Sequence, residues 1–441
     1  MPESTLEFTP EDREQLARDI EQYFDRLWPY NRSITGEDYR TSLNILNEVM
    51  PTENLIFNTG EKVLDWTVPK EWNAEEAYLI DPNGKKRADF SVNNLHLMGY
   101  SIPFEGTMNL EELKPNLYTL PDQPNAIPYL TSYYKERWGF CMTQEEYDEL
   151  PEGDYQVVIR TRLEPGKLVV GESVIQGKSD REVMLASYLC HPSMANNELS
   201  GPLVLSFLYR ELKRLQPQLK YTYRFVVFPE TIGAICYLSK RGFHLKDQLD
   251  AGYQITCIGD PGEFTYKHSR QHSSLADRAA LQFMKEHDQT QIIPFNPAFG
   301  SDERQWCSPG FNLPVGSLMR TMYTVYPEYH TSLDNKDIMS FPGMADAVAA
   351  YMEIIRNMEE NTTYNSLEPY GEPMLGPRGL FRSISSKKRD EDELAMWWLL
   401  NYADGQHDLL KIAELSGHSM DALVRVGKHI HENGLFETVE S

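Results

Sequence analysis

A short apolar run, Val183 to Tyr188, leads into the polar stretch Leu189-Cys190-His191-Pro192-Ser193-Met194-Ala195-Asn196-Asn197-Glu198-Leu199-Ser200-Gly201. Behind it Leu203, Phe207, Leu208, Glu211 and Leu212 recur at helical spacing, so the segment predicts strand, loop and helix in succession. That succession constrains the fold, because strands alternating with helices build an open and largely parallel sheet. Loops leaving the carboxyl ends of such strands are where ligands bind. This loop carries a histidine, two amides, a carboxylate and a glycine, the stock of an active site, although a polar turn around a packed His191 would look the same.

The alternation continues downstream. Arg224 to Phe228 and Gln254 to Ile258 predict strands; Ile232 to Lys240, Ser274 to Glu286 and Met344 to Glu359 predict helices. Upstream, Thr9-Pro10-Glu11-Asp12 is a helix start ahead of Leu16, Ile20, Phe24 and Leu27, and a second helical pattern runs from Glu37 to about Val49. These amino-terminal patterns have no sheet nearby in sequence, so they are expected to pack with residues from about 180 onward. Between them lie short β-type runs with turn signals, notably Asp81-Pro82-Asn83-Gly84 and Glu164-Pro165-Gly166, which predict an inserted antiparallel β module. Aromatic residues crowd Tyr129 to Phe140, either as core or as the wall of a substrate cleft. The resulting division is 1–55 with 180–365 as the catalytic domain, 56–179 as the β module, 366–387 as a linker and 388–441 as a winged-helix domain.

Charge and cysteine usage narrow the setting. The formal charge of −24 repels phosphate backbones and anionic membrane surfaces. Residues 388–441 hold 5 Lys/Arg against 11 Asp/Glu, so the winged helix suits a protein contact better than DNA. Five cysteines without a CxxC pair indicate reduced thiols and exclude a cysteine zinc knuckle. With no apolar run of membrane-spanning length, a soluble cytoplasmic protein is expected; self-association is left open.

Three more polar stretches fall at strand ends or before a helix: Phe228-Pro229-Glu230-Thr231, Cys257-Ile258-Gly259-Asp260-Pro261-Gly262 and Tyr329-His330-Thr331-Ser332-Leu333-Asp334-Asn335. Singly each has an ordinary reading, Glu230 as a helix-start carboxylate and Asp260-Pro261-Gly262 as a turn. Together, two histidines, an aspartate and a glutamate match what a hydrolytic zinc site needs.

In this order the motifs resemble the aminopeptidase-like zinc exopeptidases, the clan of bacterial leucyl aminopeptidases and glutamate carboxypeptidase. They are closer still to a bacterial family of aminopeptidase-domain proteins found near surface-polysaccharide or secondary-metabolite genes. Segments resembling Trp28 to Gly36, Thr131 to Cys141, Cys190 to Gly201, Gly300 to Gln305 and Tyr326 to Ser332 recur there. The resemblance implies a phosphorylase/hydrolase-like α/β domain, an open mixed sheet with helices on both faces, carrying a β insertion and a carboxy-terminal winged helix. It implies His191, Asp260 and His330 as zinc ligands and Glu230 as general base. Two positions depart from the pattern: the metal-bridging aspartate is Asn197, and the second glutamate of the clan's Glu-Glu pair is Thr231.

Without a bridging carboxylate two dications repel strongly, so one zinc ion is expected, with Asn197 beside it. Glu198 is either a helix-start carboxylate or a replacement ligand, and Arg304 and Arg320 either bind a substrate carboxylate or pair with neighbouring acids. The expectation is a zinc hydrolase acting on a small peptide or an acylated amino acid. The alternative is a catalytically degenerate scaffold that binds or regulates through its winged helix.

Overall fold

The computed structural model describes residues 8–380 and 390–439. Part of the expected linker, and Lys388 and Arg389 of the expected terminal domain, lie outside the described residues. The chain forms two compact units, one of residues 8–272 and 291–349, the other drawn from 273–290 and 350 onward.

The first unit is built on an eight-stranded mixed sheet ordered Glu53–Asn58, Lys167–Ile175, Thr222–Phe228, Glu182–Tyr188, Leu249–Gln254, Val315–Met319, Thr265–Lys267, Gln291–Ile293. Its central four strands are parallel. Two of them, Glu182–Tyr188 and Thr222–Phe228, are buried along their whole length and mostly apolar, as expected of strands covered on both faces. Tyr188 lies opposite Phe228 and Ala186 opposite Gln254, which brings the loops that follow to one edge of the sheet. The helix Ser200–Arg214 returns from the first loop, and Gly201 marks its closest approach. A Cβ there would sit 2.4 Å from Ile255 O and Ser187 Oγ.

The amino-terminal helix Pro10–Leu27 opens with a Thr9/Asp12 capping box and buries Leu16, Ile20, Phe24 and Leu27. It packs on Ser200–Arg214, where Arg210 meets Asp19 at 2.8 Å and Tyr23 meets Phe207 edge to face. The β insertion is a four-stranded antiparallel sheet ordered Lys86–Arg87, Glu71–Ile80, Asp154–Glu164, Phe104–Asn109. The run Lys167–Ile175, read from sequence as part of that module, instead pairs with Thr222–Phe228 in the central sheet. The turn at Pro165-Gly166 therefore hands the chain from one sheet to the other. The expected strand Gln254–Ile258 is displaced to Leu249–Gln254, since Cys257, at φ +47°, leaves the extended conformation.

In the second unit, helices Glu391–Tyr402, Leu409–Ser416 and Met420–Glu432 join a three-stranded sheet of Asp404–Asp408, Thr363–Ser366 and Phe436–Thr438, a winged helix. Helix Leu275–Glu286 belongs to this unit, with a Ser274/Asp277 capping box.

Candidate active site

His191 sits three residues past its strand, and its ring is gripped from behind. Nδ1 lies 2.5 Å from Glu198 Oε2, and both side chains are buried. Glu198 reaches back because residues Ala195–Leu199 form a π-helical turn. Arg32, fully buried, donates from Nε to His191 O at 3.2 Å and from a terminal nitrogen to Leu27 O at 2.6 Å. Burial opposes a charge on His191, but Cys190 and Glu198 outweigh it and hold its pKa well above the usual histidine range. With Nδ1 taken, Nε2 faces a cavity of about 390 Å³ and lies 3.5 Å from Glu230 Oε2.

Glu230 follows the strand Thr222–Phe228 and precedes a strained residue. Thr231 adopts φ +63°, ψ −74°, and Ile232 N–H bonds back to Glu230 O at 2.7 Å, a γ-turn rarely seen at a β-branched residue. The turn is pinned by Asp302, whose Oδ1 accepts from Thr231 N–H at 2.8 Å, while Ser301 Oγ donates to Glu230 Oε1 at 3.2 Å. Burial raises the Glu230 pKa against the opposing pull of His191. The loop that supplies Ser301 and Asp302 is itself anchored by a buried ion pair, Lys267 to Glu303 at 2.5 Å.

His330 shares the cavity. Its ring lies 5.5 Å, centroid to centroid, from that of His191, and Tyr129 packs against both at 4.9 and 5.2 Å. Among the described residues its ring nitrogens have no hydrogen-bond partner, and burial, then His191, lowers its pKa to about 3. It is a neutral imidazole, free to donate a lone pair.

Asp260 and Asn197 do not join this group. Asp260 accepts from Asn196 Nδ2 (3.0 Å), Gly262 N–H (2.8 Å), Thr321 N–H (3.1 Å) and Thr321 Oγ1 (2.7 Å), so both carboxylate oxygens tie its turn to the neighbouring loops. Asn197 Oδ1 accepts from Tyr188 Oη at 3.3 Å, and its backbone N–H bonds to Asp334. Neither residue lines the cavity. Nor do the two arginines. Arg304 donates to Ser301 O; Arg320 donates to the carbonyls of Gly262 and Gly343 and lies over Phe264.

Among the described residues, three potential donors fall within 4.8 Å of one another at Cys190, His191 and Glu198. That cluster suits orientation better than ligation. Glu198 already holds the Nδ1 edge, burial pushes the Cys190 thiol up to about 12, and Cys190 Sγ accepts from Glu230 N–H at 3.2 Å. The cavity side presents two imidazoles, one with its far nitrogen fixed by a carboxylate in the manner of metal-binding histidines, and an acid beside it, residue types that zinc takes as ligands. It does not fit the two-metal set, since Asp260 is engaged elsewhere and Asn197 carries no charge.

Four participants carried no role in the sequence reading: Arg32, Ser301, Asp302 and Asp334. The first three lie within the recurring segments Trp28 to Gly36 and Gly300 to Gln305, which were the available signal. Asp334 accepts from the backbone N–H groups of Ala195, Asn196 and Asn197 and from Tyr326 Oη, tying the His330 loop to the His191 loop.

Residues 21–361 match the family model described as a domain of unknown function, DUF4910, and residues 362–438 match a winged helix-turn-helix model. A protein of Clostridium acetobutylicum, provisionally named as a polysaccharide biosynthesis protein with aminopeptidase-like domain, is 44% identical over 421 residues, 93% of this chain and 96% of that protein. A crystal structure from Clostridium acetobutylicum, provisionally titled a peptidase, aligns with TM-score 0.90 at 42% identity, covering 97% of this chain and 98% of the other. The zinc aminopeptidase of Bacillus subtilis aligns with TM-score 0.57 at 11% identity over 79% of this chain and 95% of its own, a likeness of fold.

Proposed function

This chain belongs to the DUF4910 family, and from that premise we propose that it is a zinc-dependent hydrolase of a peptide or related amide bond. The observation that carries the reading is His191 Nε2 held 3.5 Å from the Glu230 carboxylate in a cavity shared with His330, while Glu198 occupies Nδ1. His191 and His330 are the residues that would hold the metal. Bound there, zinc supplies a polarised carbonyl and water acidified towards neutrality. Asp260 and Asn197 are assigned to the scaffold of the site.

The protein's own groups do the rest. Glu230 accepts a proton from the attacking water and returns it to the departing amine, a contribution typically worth about 10²–10⁴ in rate. Its raised pKa makes it a stronger base than an exposed carboxylate. Ser301 orients the carboxylate through Oε1, leaving Oε2 on the His191 side. Glu230→Gln keeps the shape and removes the basicity. The variant is expected to bind zinc in the same ratio as the parent and to lose at least 10²-fold in kcat on any amide the parent cleaves. Full activity would make Glu230 a helix-start residue; loss of zinc would make it a ligand.

A further inference from the structure

Beside its polar groups the cavity wall is aromatic: Trp66, Tyr129, Tyr133 and Tyr134 face it, with Ile34 and Ile232. The four rings come from residues 66–134, whereas the reacting groups come from the loops at the ends of the central strands. Tyr129 and Tyr133 join their hydroxyls at 2.9 Å. Trp66 and Tyr134 meet edge to face at 5.7 Å, yet remain 37% and 60% exposed. Large apolar faces left in water next to reacting groups mark a place where a ligand is meant to cover them.

The charges in the cavity narrow what that ligand is. Among the described residues lining it, Glu230 is the sole carboxylate and there is no lysine or arginine. An α-ammonium group would have to pair with Glu230 and so quench the base that the hydrolysis uses. A carboxylate on the substrate's acyl group would meet no lysine or arginine in the lining, and Arg320 is spent on the carbonyls of Gly262 and Gly343. An uncharged apolar group is what these walls accept.

Building on the amide-hydrolase reading, we propose that the substrate is an amide whose acyl side is apolar, aromatic or branched, and carries no free amine, and that Trp66 and Tyr134 select it. Water adds to the carbonyl carbon, the C–N bond breaks, the amine leaves with the proton relayed by Glu230, and the acyl group departs as a carboxylate. The inserted module thus reads the acyl group, and the sheet loops do the chemistry.

Two matched pairs of probes test this on the full zinc-loaded chain. The neutral, uncleavable 3-phenylpropan-1-ol should bind at least tenfold more tightly than L-phenylalaninol in calorimetric titration, and N-(3-phenylpropanoyl)glycinamide should be cleaved with higher kcat/KM than L-phenylalanylglycinamide. Trp66→Ala and Tyr134→Ala should each weaken binding of the neutral alcohol several-fold, with Trp66→Phe restoring most of it. Both side chains reach the surface, so the fold is expected to survive. Equal or tighter binding of L-phenylalaninol, preferred cleavage of the free-amine amide, or alanine variants that bind like the parent would each overturn the proposal while leaving a hydrolase standing. Binding as expected with no amide cleaved would instead overturn the hydrolase reading and leave the pocket assignment intact.

Discussion

In the proposed metal site, His191 is set by what happens at its other nitrogen. A buried carboxylate at 2.5 Å from Nδ1 fixes the ring plane and holds that nitrogen's proton, so that Nε2 faces the cavity and is the nitrogen a metal would claim on displacing its proton. Glu198→Ala is therefore expected to lower zinc affinity by about 10- to 100-fold in competition with a chromogenic chelator, with Glu198→Gln milder because an acceptor oxygen remains. Unchanged affinity in the alanine variant would make Glu198 a bystander. His330 gives a pH signature. Its folded pKa of about 3 lies below the usual histidine value, so the unfolded chain takes up the proton first. Its contribution to stability is complete above about pH 6.5 and drains away as pH falls towards 3, at up to roughly 1.4 kcal/mol per pH unit. In metal-free protein the urea midpoint should fall between pH 6.5 and 4, and His330→Asn should flatten that fall; an identical slope in the variant would refute the assignment. None of this was legible in the residues alone. His191 and His330 could be picked out as types at strand ends, but Glu198 lies seven residues from His191, and it takes a π-helical turn to bring the two together.

Short elements carry the strain that aims these residues. Thr231 holds a left-handed φ without being glycine, and its γ-turn directs Glu230 back across the strand end towards His191. Thr231→Gly relieves that conformation. The expected result is a rise in stability of about 1 kcal/mol together with a lower kcat, because a glycine lets the carboxylate wander. A variant that gains no stability, or keeps full activity, would show that the turn stores nothing of use. The strands themselves were partly readable. Glu182–Tyr188 and Thr222–Phe228 are mostly apolar, and the pattern located them as Val183 to Tyr188 and Arg224 to Phe228. Leu249–Gln254 contains Asp250 and Gly252, which sequence pattern counts against a strand. In the fold the Asp250 side chain pairs with Arg181 and Gly252 lies against Val315, so tertiary contacts overrule propensity. Lys167–Ile175 was recognised as β but placed in the wrong sheet, since period-two patterning does not say which partner a strand will find.

For the molecule as a whole, alternation of strand and helix was enough to specify the α/β class, and the helical spacing of Leu394/Trp397/Trp398, Leu409/Ile412/Leu415 and Leu423/Val426/Ile430 was enough for the winged helix. The ligand set was less legible, because which of several polar loops converge depends on side-chain direction. Asp260 lies in a suitable loop and yet its carboxylate bonds to Gly262, Thr321 and Asn196. The winged helix poses the last question of function. Duplex binding runs on phosphate neutralisation by cations free to make the contact. On helix Met420–Glu432, Arg425 is paired with Asp392 at 2.5 Å and Lys428 with Glu360 at 3.5 Å. With 5 Lys/Arg against 11 Asp/Glu over residues 388–441, a phosphate contact through Arg425 or Lys428 would break an internal pair and approach a surplus of negative charge. We therefore expect no change in fluorescence anisotropy when the full chain, at concentrations up to about 10 μM, is added to a labelled random duplex in 150 mM salt, conditions under which non-specific binders of DNA, with Kd of about 10⁻⁴–10⁻⁶ M, begin to show. A saturable, salt-sensitive rise in anisotropy would establish a nucleic-acid partner and overturn this expectation.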